Sequence, residues 1–348
     1  MNSIVNILNR GAGKNIFSAG IRSGLLAIFI LCPVCGKSAG MKSYADVSRK
    51  TTVSLSQMAE RYAFRSLTVR GKQITLLTKF NTILLEGDSR KATFNGVNIW
   101  LNGPITRRWG SWHILQADID RVILPLINPN NALASEESQI VALDPGHGGE
   151  DQGAHSRSGI IEKKMTLELA RKVRAILLQY RIDARLTRNG DQQLELEDRT
   201  NRARSWKSSV FVSIHLNSAE SSDPAGIETH VLPPAGYSST ANNSLGVYDQ
   251  VSYQANQHDR ANTVLGFLLQ RSLLKHTRSE DRGVRRSRFV VLKNINCPAA
   301  LVECGFLSNR AEANKLLNPG YLDNVARGIA EGIMSYLNGV KRANQANP

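Results

Sequence analysis

Between residues 139 and 338, short and nearly uninterrupted apolar runs alternate with stretches whose apolar residues recur every three or four positions. The runs 140–143, 184–187, 210–214, 227–232, 289–292 and 300–302 have strand length. Between and after them, residues 163–180 place Met165, Leu169, Val173, Ile176, Leu177 and Tyr180 on one helical stripe. Segments 196–207, 261–274 and 322–337 also read as helices. A strand that is apolar at successive positions has no face to offer water, so its sheet must be covered on both sides. The alternation therefore predicts an α/β fold with helices on both faces of a sheet.

The rest of the 348 residues is of another kind. Residues 41–127 break into strand-length segments separated by Arg70-Gly71, Gly87-Asp88, Asn95-Gly96 and Asn102-Gly103, a hairpin pattern with one short helix near residues 57–64. This predicts a small, mostly β module. It resembles the β domain, named for copper amine oxidase N-termini, that precedes catalytic domains in secreted wall enzymes. No copper is implied, since its one histidine is His113. Residues 128–138 are polar and turn-rich and read as a linker, and residues 339–348 as a polar tail. The chain carries a net charge of +15, and residues 41–134 hold 13 Lys/Arg against 6 Asp/Glu. A basic module of this kind expects a polyanionic partner such as an acidic wall polymer. Aromatic residues are only 6% of the chain, which argues against stacking on nucleic acid, and no nucleic-acid partner is expected.

Arg10, Lys14 and Arg22 precede an apolar run at 25–34, followed by Ser38, Ala39 and Gly40. That order matches a secretory signal peptide, and the run is short for a membrane span. Residues 1–40 are thus a signal peptide or, if retained, an anchor and the chain's one link to a membrane. The protein is expected to be exported, to the periplasm or cell envelope. Cys32 and Cys35 fall in this segment with no second pair near them, so a zinc knuckle is not expected. Cys297 and Cys304 flank an apolar run and read as buried free thiols.

Three residues of metal-binding type stand at the ends of elements. His147 lies just past the first strand in Asp144-Pro145-Gly146-His147-Gly148-Gly149, where the glycines and proline impose a sharp turn. Glu162 lies just ahead of the long helix and His215 ends the strand at 210–214. Two imidazoles and one carboxylate are the protein ligands of a catalytic zinc that keeps a fourth position open. In open α/β sheets, sites collect at the carboxyl ends of strands. Glu303 closes another apolar strand, an odd place for a carboxylate that only packs. Beside a metal-activated water it could serve as general base and then acid. Arg282, Arg285, Arg286 and Arg288 form a basic cluster, either a contact for substrate carboxylates or a solvated loop.

Several motifs occur in a fixed order: Leu143-Asp-Pro-Gly-His-Gly-Gly149, Glu162-Lys163, Thr187-Arg188-x-x-Asp191, Leu196-x-x-Arg199, Ser213-Ile-His-Leu-Asn217, Gly226-Ile-Glu-Thr229, Arg282-Gly283-Val284 and Pro298-Ala-Ala-Leu-Val-Glu-Cys-Gly-Phe306. On these, residues 139–338 closely resemble the catalytic domain of zinc-dependent N-acetylmuramoyl-L-alanine amidases. The resemblance implies a mixed, mostly parallel six-stranded sheet flanked by helices. It implies a zinc cofactor on His147, Glu162 and His215, and Glu303 as the catalytic carboxylate. The implied reaction is hydrolysis of the amide between N-acetylmuramic acid and L-alanine of peptidoglycan, in wall remodelling or cell separation. A protein activator is left unspecified. Two features depart from the family pattern. Cys304 stands where relatives carry a small or aliphatic residue, and 233–260 is polar, without the self-inhibitory helix of some relatives. The residue chemistry alone leaves two alternatives open: a zinc peptidase acting on stem peptides, and a wall-binding protein without turnover.

Overall fold

The computed structural model describes residues 50–133, 139–242 and 244–346. Residues 1–40, and with them the signal segment, Cys32 and Cys35, lie outside this range, as does the second part of the linker, 134–138.

The N-terminal part begins with β1 (Thr52–Ser54) and α1 (Leu55–Arg61). The Ser54 hydroxyl caps α1 and Gln57 reaches back to it, a reciprocal capping box. A meander follows: β2 (Ser66–Arg70), β3 (Gln73–Leu77), β4 (Thr82–Glu86), β5 (Lys91–Phe94) and β6 (Val97–Trp100). At the β5–β6 turn, Asn95 and Gly96 both take positive φ, 47° and 83°, the geometry that Asn-Gly supplies in two-residue hairpins. Two strands absent from the sequence-based expectation, β7 (Thr106–Arg108) and β8 (Ser111–Leu115), join β1 in a separate three-stranded sheet with β8 at its centre. A helical segment, 116–127, then leads to the linker; its middle turn, Ile119–Ile123, is π-helical.

The second part holds β9 (Val141–Pro145), α2 (Glu162–Gln179), β10 (Ala184–Leu186), α3 (Leu196–Ser205), β11 (Val210–Asn217), β12 (Ile227–Val231), α4 (Asp259–Thr277), β13 (Asp281–Arg286), α5 (Val290–Lys293), β14 (Ala299–Phe306), α6 (Arg310–Leu316) and α7 (Pro319–Ala346). Six strands lie in the order β10-β9-β11-β14-β12-β13, and only the β14–β12 pair is antiparallel. The fold is thus α/β with a mixed, mostly parallel sheet. Its strands feed two cores by simple alternation. Val141, Leu143, Val210, Val212, Ala300 and Val302 join the larger core with α2, α4 and α7. Ala142, Phe211, Ala299 and Leu301 join the smaller one with Ala203 of α3 and Val291 and Leu292 of α5. Side chains alternate faces along a strand, so one apolar run serves both layers.

Three expectations need correction. The six strands do not form a sheet of their own: Val284 of β13 pairs in parallel with Ile99 of β6, and the N-terminal meander extends the sheet to eleven strands. The larger core is continuous across this junction, with Phe94 edge-on to Phe267 of α4 at 5.4 Å. Residues 289–292 are not a strand: Phe289 stands at the N-terminal end of the short helix α5 and 290–292 lie within it, while the strand in that region is the charged 281–286. Finally, α7 runs on to Ala346 and takes up most of the expected polar tail.

Candidate active site

The site forms at the carboxyl ends of β9 and β11, beside β14. Asp144, the penultimate residue of β9, is fully buried. It accepts from Thr187 Oγ1 at 2.6 Å, Ser213 Oγ at 2.7 Å and Arg199 Nη1 at 2.9 Å. Burial alone would raise its pKa, but the Arg199 charge and these donors hold it below the usual carboxylate range. The carbonyls of the loop that follows are gripped by two buried arginines. Arg188 donates to Pro145 and Gly146, and Arg199 to Pro145 and His147. Lys163 Nζ adds bonds to the Gly149 carbonyl, 2.6 Å, and to Asp191, 2.7 Å. Held in this way, His147 adopts φ +61°, a conformation that few residues other than glycine take without support. Gly146 is required by close approach, because a Cβ there would lie 2.3 Å from the His215 ring.

This loop brings His147 against Glu162 and His215, as the sequence predicted. One candidate ligand atom from each lies within 4.8 Å of the others, and all three residues are buried. Glu162 stands at the start of α2, where the helix dipole favours its charge. Its Oε1 accepts the Leu216 N–H at 3.0 Å and its Oε2 the Ala154 N–H at 2.7 Å. Burial opposes ionisation of Glu162, but the two histidines outweigh it and hold the carboxyl far below its ordinary value. His215 Nδ1 lies 3.0 Å from Glu162 Oε1. Burial pushes His215 down, with Glu162 pulling the other way. His147 Nδ1 meets Asp151 Oδ2 at 3.0 Å. Burial would lower the His147 pKa, but Glu162 and Asp151 override it and raise the value to about 9.

Two orphaned atoms mark what this arrangement lacks. His147 Nε2 is buried, 3.0 Å from Glu162 Oε2, yet makes no hydrogen bond. Glu303 Oε2 is buried and also makes none. Buried polar atoms are ordinarily satisfied, so each of these two calls for a partner. Glu303 sits in register with His215 on one neighbouring strand and with Glu228 on the other. Burial, then the charges of Glu162 and Glu228, push its carboxyl well above the normal range. Two imidazoles and a carboxylate, with His147 held by Asp151 and Glu162 by two backbone N–H groups, are a donor set that fits a zinc ion.

The sequence profile of the N-acetylmuramoyl-L-alanine amidases matches residues 141–335. The chain belongs to this family. It is 33% identical over 226 residues to the amidase AmiA of Escherichia coli K12, spanning 59% of this chain and 78% of that one. It is 34% identical over 200 residues to the sporulation-specific amidase of Bacillus subtilis 168, spanning 57% and 68%. Among solved structures, the catalytic domain of the amidase CwlV from Bacillus (Paenibacillus) polymyxa is 33% identical; it covers 58% of this chain and 99% of its own, with a TM-score of 0.49. This amidase is therefore an enzyme of peptidoglycan.

Some of its supporting residues were not singled out from sequence. Asp151, four residues past His147, orients that ring; an acid so close to a glycine-rich histidine turn was the available signal. The backbone N–H groups of Ala154 and Leu216 left no trace in the sequence. The basic cluster divides. Arg286 and Arg288 are buried, where Arg286 reaches Thr263 and Arg288 pairs with Asp249 at 2.7 Å. Arg282 and Arg285 stay partly exposed, against Glu228. Cys304 points into the larger core and Cys297 into the smaller, both as free thiols. Cys304 therefore faces away from Glu303's side of the strand, and burial raises its pKa. Segment 233–260 contains only 3-10 turns, Val247–Gln250 and Gln254–His258, before α4 begins, among its described residues.

Because Asp151 holds the His147 ring, Asp151→Asn should weaken zinc binding by about 10–100-fold, the usual cost of losing an outer-shell partner. Competition with a chromophoric chelator measures this, and an unchanged affinity would show that His147 needs no such support.

Proposed function

We propose that this amidase is zinc-dependent, with His147, Glu162 and His215 as the metal ligands and Glu303 as the catalytic carboxylate. The observation that carries this reading is the convergence of the three ligand atoms beside the unpartnered Glu303 Oε2. A bound zinc ion would polarise the scissile carbonyl and make a water nucleophilic near neutral pH. The protein's own residues do the rest. Glu162 is pinned by two backbone N–H groups and His147 by Asp151, so the ligand set costs little to reorganise. Burial, Glu162 and Glu228 oppose the charged form of Glu303, and the positive charge of a bound zinc ion would favour it, so that Glu303 can take one proton from the attacking water. It delivers that proton to the L-alanine nitrogen as the C–N bond breaks. The products are a free lactyl carboxylate on the sugar and a stem peptide with a free amino terminus. Buried away from bulk water, Glu303 exchanges that proton with the reacting groups rather than with solvent.

We also propose that the protein is exported, by the segment 1–40, and that the basic N-terminal part helps hold the anionic wall polymer. Support for the second point is the charge of residues 41–134 and the exposure of Lys79, Arg107 and Arg108. No helix among the described residues is long and apolar enough to cross a membrane.

Mass spectrometry of muropeptides digested with the zinc-loaded protein tests the reaction. Free stem peptides beginning at L-alanine are the expected products. Cleavage between amino acids would make the protein a peptidase, and no release at all would make it a binding protein.

A further inference from the structure

One strand beyond Glu303 lies a charged cluster that the hydrolysis does not use. Glu228 of β12 is buried, and its carboxylate meets Asn217 Nδ2 at 2.9 Å, His230 Nε2 at 3.0 Å, Arg282 Nε at 2.9 Å and Arg285 Nη1 at 3.1 Å. Each arginine is braced by a ring: the Arg282 guanidinium lies 4.7 Å from the centre of Phe306, and that of Arg285 lies 5.2 Å from Trp100. Trp100 comes from β6, so the N-terminal part supplies one wall of the cluster, and its Nε1 donates to the Arg282 carbonyl. The anchor is closed to solvent, but the arginines are not: their side chains are 27% and 20% exposed, against 5% for Glu228. Glu228 is the only acid in salt-bridge contact with either arginine among the described residues. Two guanidinium charges therefore face one carboxylate. Among the described residues, each arginine spends a single N–H group on Glu228 and makes no other side-chain hydrogen bond. The cluster is held on several sides, carries a surplus positive charge and presents unused donors to solvent.

Its place in the sheet states what it could reach. His215, Glu303, Glu228 and Gly283 lie in register on four adjacent strands. With strands ~4.8 Å apart, Glu228 lies about 10 Å from His215 along the sheet. A stem peptide extends ~3.3–3.6 Å per residue past the scissile nitrogen. Its second residue is joined onward through its side-chain carboxyl, which leaves its α-carboxylate free and within that span.

We propose that Arg282 and Arg285, locked by Glu228 and braced by Phe306 and Trp100, form a subsite for a free carboxylate of the stem peptide, that of its second residue. The proposal rests on the amidase reading above. Planar guanidinium forks suit a carboxylate better than a lysine would, because they can bind it through two parallel bonds. Trp100 is a positioning residue: it touches Arg285, not the substrate.

The test uses the full zinc-loaded protein and two soluble substrates, N-acetylmuramoyl-L-alanyl-D-isoglutamate and its D-isoglutamine amide. The wild type should show a KM about 10–100-fold lower for the acid than for the amide, the range expected for hydrogen bonds to a charged group. Arg285→Gln should raise KM for the acid towards that of the amide, with kcat and the amide's KM little changed. Arg285→Lys, which keeps the charge, should recover part of the difference. Equal KM values for the two substrates in the wild type would overturn the subsite, whatever the variants do. So would an equal loss on both substrates in Arg285→Gln, which would mark the cluster as structural. A wild type that cleaves neither substrate would overturn the amidase reading itself, and the subsite with it.

Discussion

Glu303→Gln should bind zinc like the wild type, unfold at a similar temperature and release stem peptide about 10²–10⁴-fold more slowly, the usual contribution of a general base. The substitution keeps the shape of the side chain and one acceptor, but the amide cannot take a proton from water at neutral pH. Zinc content should not move, because His147, Glu162 and His215 already supply three ligand atoms that converge without Glu303. Folding should hardly suffer either. The Glu303 Oε2 atom makes no hydrogen bond that the amide would forfeit, and a neutral group suits a site where burial already opposes charge. Zinc analysis and stem-peptide release on the same preparation check the two halves together. Loss of zinc would make Glu303 a ligand and demote Glu162; near-normal turnover would move the base elsewhere, with Glu228 or Glu150 the next acids to test.

His147→Ala and His215→Ala should each fail at the earlier step. Either removes an imidazole from a set of three, so zinc affinity should fall by more than the ~10–100-fold cost of an outer-shell loss, and turnover should fall with it. The two variants should differ in stability. His147 sits on a turn at positive φ, where alanine is no better suited, and its ring is held by Asp151 and Glu162. His215 lies near the carboxyl end of a fully buried strand and packs over Gly146, so its removal leaves a cavity and a carboxylate with one partner fewer. The His215 variant should therefore have the lower melting temperature. Full zinc occupancy in either would mean that the ligand set is wrong.

The residues of the candidate site could be picked out in sequence because they interrupt strong patterns. His215 and Glu303 are polar residues at the ends of runs that are otherwise apolar, and Glu162 is the first residue of the most regular amphipathic helix. The helices α2, α4 and α7 were legible for the same reason, apart from their ends. Strand β13 was not legible, since Asp281-Arg-Gly-Val-Arg-Arg286 carries none of the apolar signal of a buried strand. Its charges are instead paired within the fold: Asp281 binds the Asn98 N–H, and Arg282 and Arg285 bind Glu228. Phe289-Val-Val-Leu292 misled in the opposite direction. A four-residue apolar run has no period to read, and the turn α5 buries Val291 and Leu292 as well as a strand would. The joining of the two sheets left no sequence signature, because it depends on one backbone pairing between Val284 and Ile99. The supporting shell of the site was hidden for a related reason: the N–H groups that fix Glu162 belong to Ala154 and Leu216, whose side chains say nothing about them.

Zinc-edge X-ray absorption of the loaded protein, recorded for the wild type and for Glu303→Gln, tests the assignment most directly. Both spectra should show the same first shell: two imidazole nitrogens at about 2.0–2.1 Å, with the remaining scatterers oxygen and none sulfur. A shell that changes on substituting Glu303, that contains sulfur, or that holds one imidazole or none would contradict the separation of metal ligands from proton carrier.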